Sequence, residues 1–380
     1  MIVGQYYDVS IIVGDLDLLN SGSASNVSCV IKESISTSFP VCKISFNSSI
    51  ALLNQCPVVD GTNVQIIIKS QLFNINEQYN FRVYDVKAIM NGNNVIYTIE
   101  CFLDFYELFR SAGKYSLYGN SSDVFSKVAQ ENNLSGIIHQ TRDLQLWATS
   151  ELNLGKWLSS VAKHGWRSEQ SGMYWFLNRT GNLFYIDIDK LIYESKNIAK
   201  FQYGETLPQD VDSGTYKYKK FVLHINSGEE NIFNRGYDGD NIHFDLLEYT
   251  TKTEKANKVR AYSNIVNINK ELSQGLGKLF YQFDVGNYHP KYFLAEAQNE
   301  RILSTFSTYS ILSMDRFRDI KLSQVCTLNA TNPNSSNTNI KSLNIKYIIS
   351  DILISISATN ISMQASLCTQ GYNGTSSESY

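Results

Sequence analysis

Charge is scarce in this chain, and so are the residue patterns that carry chemistry. Asp, Glu, Lys and Arg together make up 18% of 380 residues and leave a net charge of −3. That balance argues against a nucleic-acid coat held by a basic patch, but does not exclude a neutral or weakly acidic channel through which nucleic acid only passes. No run of 18 apolar residues occurs, so no membrane-spanning helix is expected. The start, MIVGQYYDVSIIVGDLDLL, has no basic lead and its apolar stretch is interrupted, so no secretory signal is expected. The six cysteines (Cys29, Cys42, Cys56, Cys101, Cys326 and Cys368) form no C-x-x-C pair. Several lie in strand-like runs such as YTIECFLDF, which predicts buried, reduced thiols and synthesis in a reducing cytoplasm. Walker, G-x-G-x-x-G, H-E-x-x-H and G-x-S-x-G motifs are all missing.

What is present is the material of a folded protein with large contact surfaces. Apolar residues reach 43% and aromatic residues 12%, and 24 tyrosines supply amphipathic side chains suited to subunit interfaces. All four tryptophans fall between Trp147 and Trp175, in LWATSELNLGKWLSSVAKHGWRSEQSGMYWFLNRTGNLFYIDI.

The pattern along the chain is β-rich α+β, with four regions and a tail. Residues 1–110 read as strands with partial period-2 alternation, closed by a hairpin at Asn91-Gly92, and FNSSIALLNQC reads as a short helix between them. Residues 111–205 read as an α+β unit. Val124, Phe125 and Val128 mark one helix; Leu154, Trp157, Leu158 and Val161 mark another, with Thr149 or Ser150 as its cap and Gly165 as its terminator. A hairpin follows, turning at Asn178-Arg179-Thr180-Gly181. Strands resume at 206–235 and again within 291–372, after a helical pattern over about 291–313 that carries Ala295, Ile302, Leu303 and Phe306. Residues 236–290 read as a polar insert with weak strands, and 373–380 as a flexible tail. The ends of the two strand regions, FRVYDVKAIMNGNNVIYTIECF and IKYIISDILISISATNISMQASLC, both read strand, turn, strand, a weak internal repeat.

Candidate chemistry is thin. Asp187 and Asp189 alternate, and on a strand they would point the same way, as an acid/base pair requires; a solvated strand face is the plainer reading. Asp238, Asp240, Asn241, Asp245 and Glu248 fail the spacing of a calcium loop and read as a polar turn. The five histidines (His139, His164, His224, His243 and His289) are dispersed. The tryptophan cluster reads as core rather than as a sugar platform. No catalytic, cofactor-binding or metal residue is assigned, and no cofactor is expected.

The order of these features resembles the central baseplate hub proteins of contractile-tailed bacteriophages, and through them the hub part of type VI secretion spike proteins. DVFSKVAQENNL, the tryptophan-bearing helix and hairpin, and the closing IKYIISDILISISATNISMQASLCT carry the resemblance. It implies two similar tube-like antiparallel β-barrel domains, 1–110 and a split one at 206–235 plus 291–372, with 111–205 and 236–290 as smaller units. It further implies a non-enzymatic homotrimer whose pseudo-six-fold ring adapts a hexameric tail tube to a trimeric central spike. The implied partners are the tail tube protein, the spike, baseplate wedge proteins and the tape-measure protein, with genome DNA passing through the lumen and the virion tail baseplate as location. A hub with cell-wall hydrolase or host-glycan-binding activity is the alternative.

Overall fold

The computed structural model describes residues 2–3, 6–49, 58–92, 94–105, 108, 115–148, 153–195, 198–206, 214–225, 241–245, 249–254, 279–282, 288–306, 308–330 and 343–370. The chain is a β-rich α+β protein built on one 15-stranded sheet. Along strands of this sheet such as Tyr7–Val13 alternate residues face an apolar core, with Tyr7, Val9, Ile11 and Val13 buried. The five described cysteines belong to that core and are free thiols, as expected; Cys56 lies outside the described residues. Burial pushes the Cys368 thiol up to about 12, so it stays protonated.

The sheet contains one strand order twice. The first half has six strands, Tyr7–Val13, Ala24–Ser34, Val41–Ser49, Asn63–Ser70, Ile75–Asn91 and Asn94–Leu103, which lie side by side as first, fourth, fifth, sixth, third, second. In the second half, Ala199–Tyr203, Lys220–Ile225, Thr308–Met314, Val325–Asn329, Lys346–Ser357 and Ile361–Thr369 lie in the same order, with Thr215–Tyr218 added at the edge. The halves join where Lys346–Ser357 pairs antiparallel with Ala24–Ser34. One expectation needs correction here: the strands are not all antiparallel. Ala199–Tyr203 runs parallel to both Val325–Asn329 and Thr215–Tyr218, because the chain reaches it from the middle unit rather than from a hairpin.

Several local expectations hold. Gly92 turns the Asn91–Asn94 hairpin at φ +61°. Helix Ser121–Glu131 buries Val124, Phe125 and Val128 on one side, and its Asp123 carboxylate accepts the Asn120 N–H at 2.8 Å. Helix Leu154–Lys163 is capped by Asn153, whose side chain accepts from the Lys156 N–H at 2.9 Å. Thr149 and Ser150, the caps expected there, lie outside the described residues. The hairpin Met173–Leu177 and Leu183–Asp187 pairs with Gly136–Ile138 to complete a small sheet.

Others are overturned. The pattern over 291–313 is helical only at Tyr292–Thr305. Thr308–Met314 is instead a strand, in which TYSILSM alternates buried and half-buried positions between two neighbours. FNSSIALLNQC begins inside the strand Val41–Ser49, and its remainder lies outside the described residues. Within 236–290 the expected weak strands are present: Asn241–Asp245, Thr250–Glu254 and Leu279–Gln282 make a separate sheet.

Gly165 follows the helix as predicted, yet close packing is what demands glycine there. A Cβ at this position would lie 1.9 Å from the Tyr185 hydroxyl oxygen, which is itself held by Ser121 at 2.9 Å. Gly165→Ala is therefore expected to destabilise the protein by about 1–3 kcal/mol, the usual cost of overpacking a filled site. A denaturant titration reads this directly, and a midpoint equal to that of the unmodified chain refutes it.

Candidate functional site: a buried ion pair where three units meet

Arg179 sits in a hairpin turn, where a charged residue normally faces water. Here it is 3% exposed. The turn itself is formed by Gly181 N–H donating to Asn178 O at 2.9 Å, with Gly181 at φ +80°. That geometry sends Arg179 inward, between the two halves of the large sheet.

Its partners come from both halves. Nη1 donates to Glu33 Oε2 at 2.7 Å and to the Ile320 carbonyl at 3.0 Å. Nε donates to the Tyr79 hydroxyl at 3.0 Å, and Nη2 to Asp319 Oδ1 at 3.1 Å. The Arg179 backbone N–H completes the set by donating to Glu33 Oε1. Glu33 is fully buried and stands on the core face of Ala24–Ser34, in line with Val27, Cys29 and Ile31. Burial works against the charged guanidinium, but Glu33 and then Tyr79 more than offset it, so Arg179 remains charged. Burial likewise holds the Tyr79 hydroxyl protonated. The Asp319 contact is half-exposed and contributes little.

Two further polar knots organise the middle unit. Asp143, fully buried, accepts Ser121 N–H at 2.9 Å, Ser121 Oγ at 2.5 Å and Trp166 N–H at 2.8 Å. Helix Tyr292–Thr305 docks on the same unit through Asn299, whose Nδ2 donates to Lys163 O at 2.9 Å and Gly165 O at 3.0 Å. Its Oδ1 accepts Met173 N–H at 2.9 Å. Asn299 thus satisfies carbonyls at and just past the C-terminal end of helix Leu154–Lys163, where the helical bonding pattern stops.

The residues singled out in the sequence are spread over separate contacts where they are described. Asp187 and Asp189 do not share a strand face: Asp187 ends its strand and caps helix Ile188–Glu194, and Asp189 lies in that helix's first turn. The change from strand to helix between them abolishes the alternation. Asp187 is tied to Arg167 at 2.7 Å and to Gly172 N–H at 3.0 Å; burial raises its pKa while those contacts oppose the rise. All four tryptophans are buried. Three indole N–H groups are used internally, by Gly119 O, Ala148 O and Ser159 Oγ, as the core reading requires. His289 Nε2 meets His164 O at 3.1 Å and His164 meets Glu296 at 3.3 Å, yet no group of three metal-ligating side chains exists among the described residues. Asp238 and Asp240 lie outside the described residues, as does Glu248, and so the calcium-loop question falls there too. A cavity of about 320 Å³ beside Tyr174, Ile188 and Phe306 reaches one carboxylate, Asp351, and no histidine.

Arg179, Glu33 and Asn299 escaped sequence reasoning. Glu33 left a trace, a charge in a run of alternating apolar residues; Asn299 and Arg179 left none.

Two predictions follow from this geometry. Arg179→Met or Glu33→Leu alone strands a buried charge and is expected to cost about 3–5 kcal/mol, whereas the double substitution costs clearly less than the two losses added. Additive losses in a double-mutant cycle refute the coupling. His139 offers a second test, because its Nδ1 accepts the Asp187 N–H at 3.0 Å and so must be unprotonated. Burial first, then Lys190 and Arg167, push its pKa down from 6.5 to about 4, with Glu194 opposing. The unfolded chain therefore binds the extra proton between these values, so this contribution is intact above pH 6.5 and is lost as pH falls towards 4. The loss is on the order of 2 kcal/mol. His139→Asn, which retains an acceptor without a titration, should flatten that part of the stability–pH curve; an unchanged slope counts against it.

No protein-family model matches the chain, and no curated protein matches it. Solved structures do. The prophage MuSo2 43 kDa tail protein from Shewanella oneidensis is similar at a TM-score of 0.61 and 10% identity, over 96% of this chain and 98% of that one. The tail protein from Neisseria meningitidis MC58 is similar at a TM-score of 0.54 and 10% identity, over 96% and 97%. At this identity the likeness is one of fold: along nearly its whole length, the chain has the fold of phage tail proteins.

Proposed function

We propose that this chain is a structural hub of a contractile phage tail baseplate. The observation that carries the reading is the single strand order found twice in one polypeptide, in a chain whose fold matches tail proteins end to end. Each half acts as one tube-like barrel unit, so three copies present six like units to a hexameric tail tube and three-fold symmetry to a central spike. The middle unit and the 236–290 insert face the spike or the periphery. Wedge proteins bind outside; the tape-measure protein and genome pass through the lumen. The protein works in the virion by binding and conducting, without chemistry of its own.

The decisive measurement is the oligomeric mass of the purified chain, by light scattering or mass photometry. A mass three times that of the single chain, with six similar densities around a ring in projection, supports the hub. A chain that remains a monomer, alone and in its native particle, removes it.

A further inference from the structure

Among the described residues, two sheet edges of this chain have no strand neighbour although their counterparts in the same chain are paired. In the first half, the second strand Ala24–Ser34 uses one edge for Val41–Ser49. Its other edge takes the far end of the second half's fifth strand, with Asp351 opposite Ser34 and Ser357 opposite Ser28. By strand order, the counterparts of these two partners are Lys220–Ile225 and Ile75–Asn91. Among the described residues, Lys220–Ile225 pairs with Thr308–Met314 alone. Ile75–Asn91 is covered on the corresponding side by Asn63–Ser70 and by bonds from Val83 to Gly61 and Thr62; beyond Val83 that edge has no described neighbour.

The correspondence holds to the residue. Each fifth strand carries a bulge against the sixth, between Val83 and Asp85 in one half and between Ile349 and Asp351 in the other. Asp85 is thus the counterpart of Asp351. The ladder leading from Val83 through Cys101 and Cys42 ends at Ile31; the one leading from Ile349 through Leu367 and Ser310 ends at Leu223. The join inside the chain buries Ile352, Ile354 and Ile356 to 1% exposure or less. Their counterparts Val86, Ala88 and Met90 are also apolar, yet Ala88 is exposed and Met90 is 66% exposed. Phe221 and Leu223 are half-buried, where their counterparts Cys29 and Ile31 are fully buried. Both edges therefore carry a core-facing apolar pattern that no described strand covers, and an edge of this kind templates a further strand.

We propose that copies of this chain join head to tail by continuing the sheet. The edge at residues 86–91 of one copy pairs antiparallel with Lys220–Ile225 of the next, placing Ala88 opposite Leu223 and Met90 opposite Phe221. This rests on the trimeric hub reading and specifies its contact: the join between copies repeats the join within each copy. Such a contact is heterologous, and a ring is the closed form it takes.

The same register sets Ile89 opposite Val222 on the open face of the sheet. A chain carrying Ile89→Cys with Val222→Cys is expected to form disulfide-linked oligomers up to the trimer under mild oxidation. Ile89→Cys with Leu223→Cys, whose second thiol points to the core face, is expected not to. Met90→Lys places a charge at an exposed position, so the single chain should fold and melt as before while trimer affinity falls roughly 30-fold or more. A trimeric mass with no link between Ile89→Cys and Val222→Cys, and no response to Met90→Lys, overturns this contact and leaves the trimer standing. A monomer at every concentration overturns both.

Discussion

A guanidinium group cannot shed its proton inside a protein, so a buried arginine is tolerated only where every surrounding element is already in place. Arg179 is in that position. Its carboxylate partner comes from the second strand of the first half, its phenolic partner from the fifth, and its carbonyl from the segment that precedes the fourth strand of the second half. Withdraw any one of these elements and a charge or a donor is left unsatisfied in an apolar core. The hairpin of the middle unit therefore docks completely or not at all, and in docking it sets how the two halves of the sheet stand to one another. Asn299 performs a smaller version of the same task between the long helix and the end of helix Leu154–Lys163.

In the proposed ring this matters because the angle between halves within a chain must equal the angle between chains. A sheet alone does not provide such an angle, since sheets twist and flex over a wide range. A wedge locked by charge does. Asp143, Asp187 and Glu33 are all buried, and each holds backbone N–H groups or an arginine: Glu33 at the wedge, Asp143 and Asp187 within the middle unit.

Much of the architecture was legible in the residues. Period-2 runs marked the strands because one face of each strand touches a core, and the tryptophan stretch marked the middle unit because its helix and hairpin pack on each other. The likeness between FRVYDVKAIM and IKYIISDILI was visible as a Tyr and an Asp leading into an apolar strand; the structure adds that both sites are bulged at the residue before the Asp. Three things were not legible. The strand Thr308–Met314 was hidden because it continues a helical spacing without a break. The parallel course of Ala199–Tyr203 depends on where the chain enters the sheet, which local pattern does not encode. The partnership of Arg179 with Glu33 spans 146 residues, and only the folded chain brings them together.

The join between halves also gives the molecule a grain. Along each strand, tension is borne by covalent backbone; across the strands it falls on hydrogen bonds alone. Because Lys346–Ser357 runs antiparallel to Ala24–Ser34, a pull along the strand axis must shear the whole set of bonds at once, while a pull at right angles peels them one by one. The protein is thus mechanically tough in one direction and compliant in the other, and the way it lies against its neighbours decides which of the two a load will meet.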